Sequence, residues 1–180
     1  MSEVQISRIE GRGMLTLRGD LADGTFASAV SSAVGLALPG QRGVVVEGER
    51  QLAWMSPDEL MLMLPAGELA EVEAALAKAL RRQHHLLADV SDARATFAIT
   101  GAGAREVLAK GAPVDLAPGI FAPGEIRRTR LGQVAAAFWM TAEAPERFEL
   151  VVFRSVAGFV EDWLQTAAQP GSLPGLFARG

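Results

Sequence analysis

The sequence predicts an α+β protein built from two duplicated lobes, each a mostly antiparallel sheet with packed helices. Three observations predict it. Two hairpins are visible, Val44–Val46 with Gln51–Met55 and Ile126–Arg130 with Gln133–Met140, each closed by a glycine-bearing turn. Two amphipathic helices carry apolar residues at helical spacing, one over Ala66–Leu80 and one over Val156–Leu164. The order of elements then repeats at an offset of about 82 to 88 residues, too long for a solenoid and natural for a duplicated lobe. Residues 1–85 are expected to form the first lobe, 86–168 the second, the two making one compact unit, with 169–180 as a tail.

Taken in order, Met14–Arg18 reads as a strand that breaks at Gly19 and Asp20. Phe26, Val30, Ala33, Val34 and Ala37 give a helix over Thr25–Leu38, which Pro39-Gly40 ends. Ser56-Pro57-Asp58-Glu59 matches a capping box, but the uninterrupted run Leu60–Leu64, stopped by Pro65, suits a strand buried on both faces. The tetrapeptide is therefore read as a turn, with Pro57 at its second position. Leu69, Val72, Leu76 and Leu80 form the stripe of the next helix. Leu86–Val90 and Ala95–Thr100 are strands on either side of a Ser91-Asp92 turn, and Ala104–Lys110 is a short helix closed by Gly111 in a left-handed cap. Phe148–Phe153 leads to the last helix. The stretch after Gln169 has no regular pattern.

Composition narrows the function classes. Of 180 residues 49% are apolar and 21% charged, with a net charge of −4, so neither nucleic acid nor an anionic membrane is drawn to the chain. With no cysteine there is no disulfide, iron–sulfur ligation or thiol nucleophile. Met1–Glu10 lacks the apolar core of a signal peptide, and no stretch is apolar for the length of a membrane span. The expected location is the cytoplasm.

Several motifs invite chemistry and are better read as structure. Gly101-Ala102-Gly103 opens a helix after a strand, but Glu106 stands where a dinucleotide fingerprint needs a small residue, and its charge would oppose a pyrophosphate. His84 and His85 are adjacent on an extended segment and point to opposite faces, so they cannot readily hold one metal. Asp89 and Asp92 flank a turn. Arg127, Arg128 and Arg130, with Arg105 and Lys110 upstream, form the densest basic region, suited either to carboxylate recognition or to keeping a strand edge soluble.

The segment Asp89–Gly101, continued by Ala104, Val107, Leu108 and Asp115-Leu116, resembles the glycine-cleavage aminomethyltransferase superfamily. Leu52–Glu59, Thr129–Val134 and the helix around Trp163 are similar, within that superfamily, to the gamma-subunit family of heterotetrameric sarcosine oxidases. The resemblance implies an aminomethyltransferase folate-binding-domain-like fold and a non-catalytic subunit supporting a complex that oxidatively demethylates sarcosine. Its partners would be the alpha, beta and delta subunits, which would hold the flavin, NAD and tetrahydrofolate, leaving this chain without cofactor or metal. Active aminomethyltransferases carry an aspartate on the strand that here reads Gly132-Gln133-Val134-Ala135-Ala136-Ala137, and alanine cannot handle a proton. The alternative is a folate-binding regulator or one-carbon transferase, with Arg127, Arg128 and Arg130 on the folate glutamate. Trp54, Leu173, Leu176 and Phe177 are the candidates for the subunit interface, the last three on a tail that would order on binding.

Overall fold

The computed structural model describes residues 4–177. Its elements run β1 (Gln5–Ile9), β2 (Arg12–Arg18), α1 (Gly24–Val34), β3 (Val44–Glu47), β4 (Arg50–Ser56), β5 (Glu59–Pro65), α2 (Leu69–Leu80) and β6 (Leu86–Asp89). They continue with β7 (Arg94–Thr100), α3 (Ala104–Ala109), β8 (Ile126–Leu131), β9 (Val134–Glu143), β10 (Glu146–Phe153) and α4 (Ala157–Ala167). Single 3-10 turns precede α2 (Ala66–Glu68), β7 (Ser91–Ala93) and α4 (Arg154–Val156). No described helix is long and apolar enough to cross a membrane.

The chain divides into two compact units, Gly11–Asp92 and a second made of residues 1–10 with 93–180. The first holds a sheet ordered β3-β4-β5-β2-β6 and the second a sheet ordered β8-β9-β10-β7-β1, with every strand pair antiparallel. Strand for strand the two orders are the same; the first unit is a ferredoxin-like β-α-β-β-α-β arrangement with one extra hairpin strand, and the second reaches the same sheet order with a strand from ahead of the first unit in the last place. The expected boundary at 85/86 thus falls at 92/93. The cause is β6 and β1. Strand β6 pairs with β2 and closes the first sheet, whereas the matching place in the second sheet is filled by β1, from the start of the chain, against β7.

In the Gly11–Asp92 unit, Phe26, Val30 and Val34 of α1 and Val72, Leu76 and Leu80 of α2 pack with Leu15, Leu17, Leu52 and Leu62 of the sheet. Burying each such side chain contributes about 1.5–3 kcal/mol. All five residues of the Leu60–Leu64 run are buried, as a strand covered on both faces requires. Helix α1 stops at Val34, short of the expected Leu38, because Gly35 adopts φ 74° and its N–H bonds back to the Ser31 carbonyl.

In the second unit, Val107 and Leu108 of α3 and Val160 and Leu164 of α4 cover Phe97, Ile99, Phe138, Phe148 and Leu150. The expected left-handed cap at Gly111 is not formed. That glycine is required by crowding, since a β-carbon there would lie 2.7 Å from Trp163 and 3.0 Å from Leu131.

Candidate functional site

The basic region named from sequence separates into three environments. Arg105 is 3% exposed and sits in the first turn of α3. Its Nε donates to Glu146 Oε1 at 2.8 Å, its Nη1 donates to the carbonyls of Leu116 and Phe121 at 2.8 Å each, and its guanidinium lies over the Phe148 ring. Glu146 also accepts from the backbone N–H of Arg105, so one carboxylate both caps α3 and neutralises the buried cation. Arg105 therefore pins the irregular segment between α3 and β8, and it is not part of an open basic face.

Lys110 donates to the Ala167 carbonyl at the end of α4 and to Ser172 Oγ. Glu106, 7% exposed, accepts the N–H groups of Gly175 at 2.8 Å and Phe177 at 3.4 Å. Leu173 and Phe177 pack on the apolar core of this unit, and Leu173 presses on Gly103, where a β-carbon would overlap it. The described part of the tail is thus tied down on its own unit, which differs from the expectation that it orders only on binding. Of the three tail candidates, Leu176 alone is exposed, at 64%. Trp54, the remaining interface candidate, is half-buried on β4 beside a register shift at Ser56.

The arginines of β8 alternate along the strand. Arg127 lies on one side with its guanidinium over Phe121 and 3.4 Å from Glu125. Arg128 and Arg130 lie on the other, both exposed, and face Ala137 and Ala135 across the ladder to β9. Ala136, between those two alanines, points the opposite way and is 5% exposed inside the apolar core. A carboxylate at Ala136 would be buried among methyl and phenyl groups.

His84 and His85 line a hollow of about 560 Å³ with Arg18, Asp20, Asp58 and Leu86. His85 Nδ1 is 2.9 Å from the Gln83 carbonyl. Asp58 is held below the usual carboxylate range, first by the hydrogen bond from Ser56 Oγ and then by Arg18, and the same contact raises Arg18. Among the described residues no group of three or more His, Asp or Glu side chains is arranged to hold a metal ion. The Asp89-Val90-Ser91 motif is a structural clasp: Asp89 accepts the N–H and hydroxyl of Ser91, whose Oγ in turn accepts the N–H of Met14 at the start of the Met14–Arg18 run.

Sequence reasoning missed the Arg105–Glu146 pair and the tail anchor on Glu106. It also missed Glu149, a buried carboxylate of β10 that accepts from Arg147 at 3.3 Å. The one available signal was the adjacent pair Arg105 and Glu106 in the short helix Ala104–Ala109, whose other residues are apolar and demand burial.

Comparison with known proteins places this geometry. A sarcosine oxidase subunit gamma from Corynebacterium sp. (strain P-1) is 36% identical over 143 residues, covering 78% of this chain and 68% of that protein. The heterotetrameric sarcosine oxidase from Corynebacterium sp. U-96, in complex with pyrrole 2-carboxylate, contains a chain that superposes with a TM-score of 0.87 at 25% identity, over 96% of this chain and 87% of that one. The glycine cleavage system aminomethyltransferase T from Bartonella henselae shares the fold, with a TM-score of 0.65 at 16% identity over 91% of this chain and 46% of that one. The profile of the sarcosine oxidase, gamma subunit family matches residues 18–170, and with most of its length inside that match the chain belongs to this family.

Proposed function

We propose that this chain works in the cytoplasm as the non-catalytic gamma subunit of a heterotetrameric sarcosine oxidase, joined to alpha, beta and delta subunits and supporting their assembly. The observation that carries the reading is the superposition on a chain of such an oxidase over nearly the whole length of this one. The absence of chemistry in the reading is supported by how the charged groups are used. Arg105, Glu106, Lys110 and Glu146 are committed to holding α3, the 112–125 segment and the tail, and Ala136 is core. In this reading flavin, NAD and tetrahydrofolate belong to the partner subunits.

The test is co-expression of the chain with the other subunits from the same genome, followed by affinity capture. A stoichiometric complex that oxidises sarcosine, together with an isolated chain that neither oxidises sarcosine nor carries flavin, supports the reading. An isolated chain that stays apart from those subunits overturns it.

A second reading, a folate-binding regulator or one-carbon transferase, is favoured by Arg128 and Arg130 on the exposed side of β8, facing alanines across the ladder. Titration calorimetry with tetrahydrofolate decides it. Heat of binding that is lost in Arg130→Ala supports this reading, and the absence of heat removes it.

A further inference from the structure

The two units build the same corner, and their hydrogen bonds match it residue by residue. Gly19, just after β2, donates its N–H to the Asp58 carbonyl at 3.0 Å; Gly101, just after β7, donates to the Glu146 carbonyl at 2.9 Å. Across the ladders Arg18 faces Leu86, and Thr100 faces Gln5. Leu86 and Gln5 are therefore counterparts, and so are the residues ahead of them, His85 and Val4.

The two corners differ in what covers them. Val4 is 2% exposed and meets Leu173 of the tail over Gly103, so this corner is closed by an irregular piece of the chain itself. The other stays open, as the hollow of about 560 Å³ lined by Arg18, Asp20, Asp58, His84, His85 and Leu86. Polarity at the matched position is inverted as well: the closed corner bears Gln5, the open one bears Leu86, 50% exposed. A lone exposed leucine on a convex surface is ordinary. A leucine on the wall of a hollow, at the corner that the tail closes in the duplicate, is a seat for another apolar side chain.

The polar groups left over define the kind of chain that fits. Arg18 and Asp58 are paired with each other, and Asp20 accepts the N–H of Ala22. The His84 ring makes no hydrogen bond or ion pair among the described residues. A carbonyl can only accept, so the 2.9 Å contact with Gln83 puts the proton of His85 on Nδ1 and leaves Nε2 of the neutral ring as an acceptor. An acceptor beside an apolar wall suits a backbone N–H of an extended segment. The duplicate uses the same combination, since Glu106 accepts the N–H groups of Gly175 and Phe177 while Leu173 packs on the core.

We propose that the hollow at the β2–β6 corner receives an extended segment of another subunit of the oxidase, with an apolar side chain against Leu86 and a backbone N–H on His85 Nε2. The segment closes this corner as the tail closes its counterpart. The chain's own tail is already held by Glu106 and by the contact of Leu173 with Gly103, and the tail of a second copy is held in the same way. This inference rests on the subunit reading given above.

The experiment is affinity capture of the co-expressed complex with wild-type chain, Leu86→Gln, His84→Trp and the control Ile120→Ser, which changes an exposed apolar residue elsewhere. Leu86→Gln introduces the residue that the closed corner bears, and His84→Trp fills the hollow. Both side chains are exposed, so the isolated variants are expected to melt like the wild type. Each should be captured about tenfold more weakly, the size of losing one well-buried contact. Ile120→Ser should match the wild type. In parallel, the photo-cross-linker p-benzoylphenylalanine in place of His84 is expected to join this chain to a peptide of another subunit, identified by mass spectrometry. The docking site is overturned if Leu86→Gln and His84→Trp are both captured as well as the wild type. It is also overturned if the cross-link joins two copies of this chain. Failure of the wild type itself to be captured overturns the subunit reading and this inference with it, whereas loss confined to the variants leaves that reading standing.

Discussion

Glu146 Oε1 lies 2.8 Å from Arg105 Nε in a setting where Arg105 is almost wholly buried, and the same carboxylate caps the backbone of α3. Two functions on one side chain make its loss expensive. Glu146→Ala leaves a buried guanidinium without its counter-charge and is expected to lower stability by about 3–5 kcal/mol. The double variant Arg105→Met/Glu146→Leu should recover only part of this, because the Leu116 and Phe121 carbonyls then lose their donor. Urea unfolding midpoints of the three proteins check the order.

Leu173 over Gly103 is the second case. Gly103→Ala puts a methyl group where Leu173 Cδ1 now sits, so the tail must lift. The expected cost is about 1–3 kcal/mol, the range for overpacking a well-filled site. Hydrogen exchange should rise over residues 172–177, with the ladders of the Gly11–Asp92 unit unaffected. Glu106→Ala should raise exchange in the same segment without a new steric clash, since it removes the acceptor of two tail N–H groups.

Asp58 gives a pH dependence with a definite sign. Ser56 and then Arg18 hold its carboxyl below the value it has in the unfolded chain. The stability it contributes is therefore fully present above the ordinary carboxylate range and is lost as pH falls through the lowered value. Asp58→Asn should differ from the wild type at neutral pH and converge with it in acid. Both partners are about half exposed, so salt should shrink the difference. Unfolding midpoints measured from neutral pH down to about pH 3, below the ordinary carboxylate range, read this out.

Gly111→Ala should destabilise through its contact with Trp163 and Leu131, again by about 1–3 kcal/mol. Its backbone is not left-handed, so Gly111→Asn should be no better tolerated than alanine. A left-handed cap would favour asparagine, and thermal melts of the two variants separate the explanations.

That glycine also marks how far the sequence could be read. Local pattern was enough for the hairpins, for α2 and for the buried strand at Leu60–Leu64, because each announces itself through neighbours close in the chain. It was enough for the duplication, since both units repeat the same turn before the same strand and helix. It failed where the partner was remote. Gly111 is crowded by Trp163, Arg105 is buried by a glutamate beyond two strands, and the tail is held by Glu106. Strand β1 was missed for the same reason: Gln5, Ser7 and Arg8 dilute its apolar residues, and only its pairing with β7 makes it a strand. Of the candidate site, the motif Asp89-Val90-Ser91 was legible as a family mark, but its role as a clasp on Met14 needed coordinates.

Strand β1 sets an order of events at the ribosome. The Gly11–Asp92 unit is continuous in the chain and has all five of its strands once β6 has emerged. Strand β1 precedes that unit in the chain, yet its partner β7 is synthesised only after the whole unit, and the sheet it completes waits further for β8, β9 and β10. Its open edge is therefore exposed to the nascent chain's surroundings for longer than that of any other described strand. The charges of Arg8 and Glu10, which blur its sequence signal, are the kind of residue that keeps such an edge from pairing with the wrong chain.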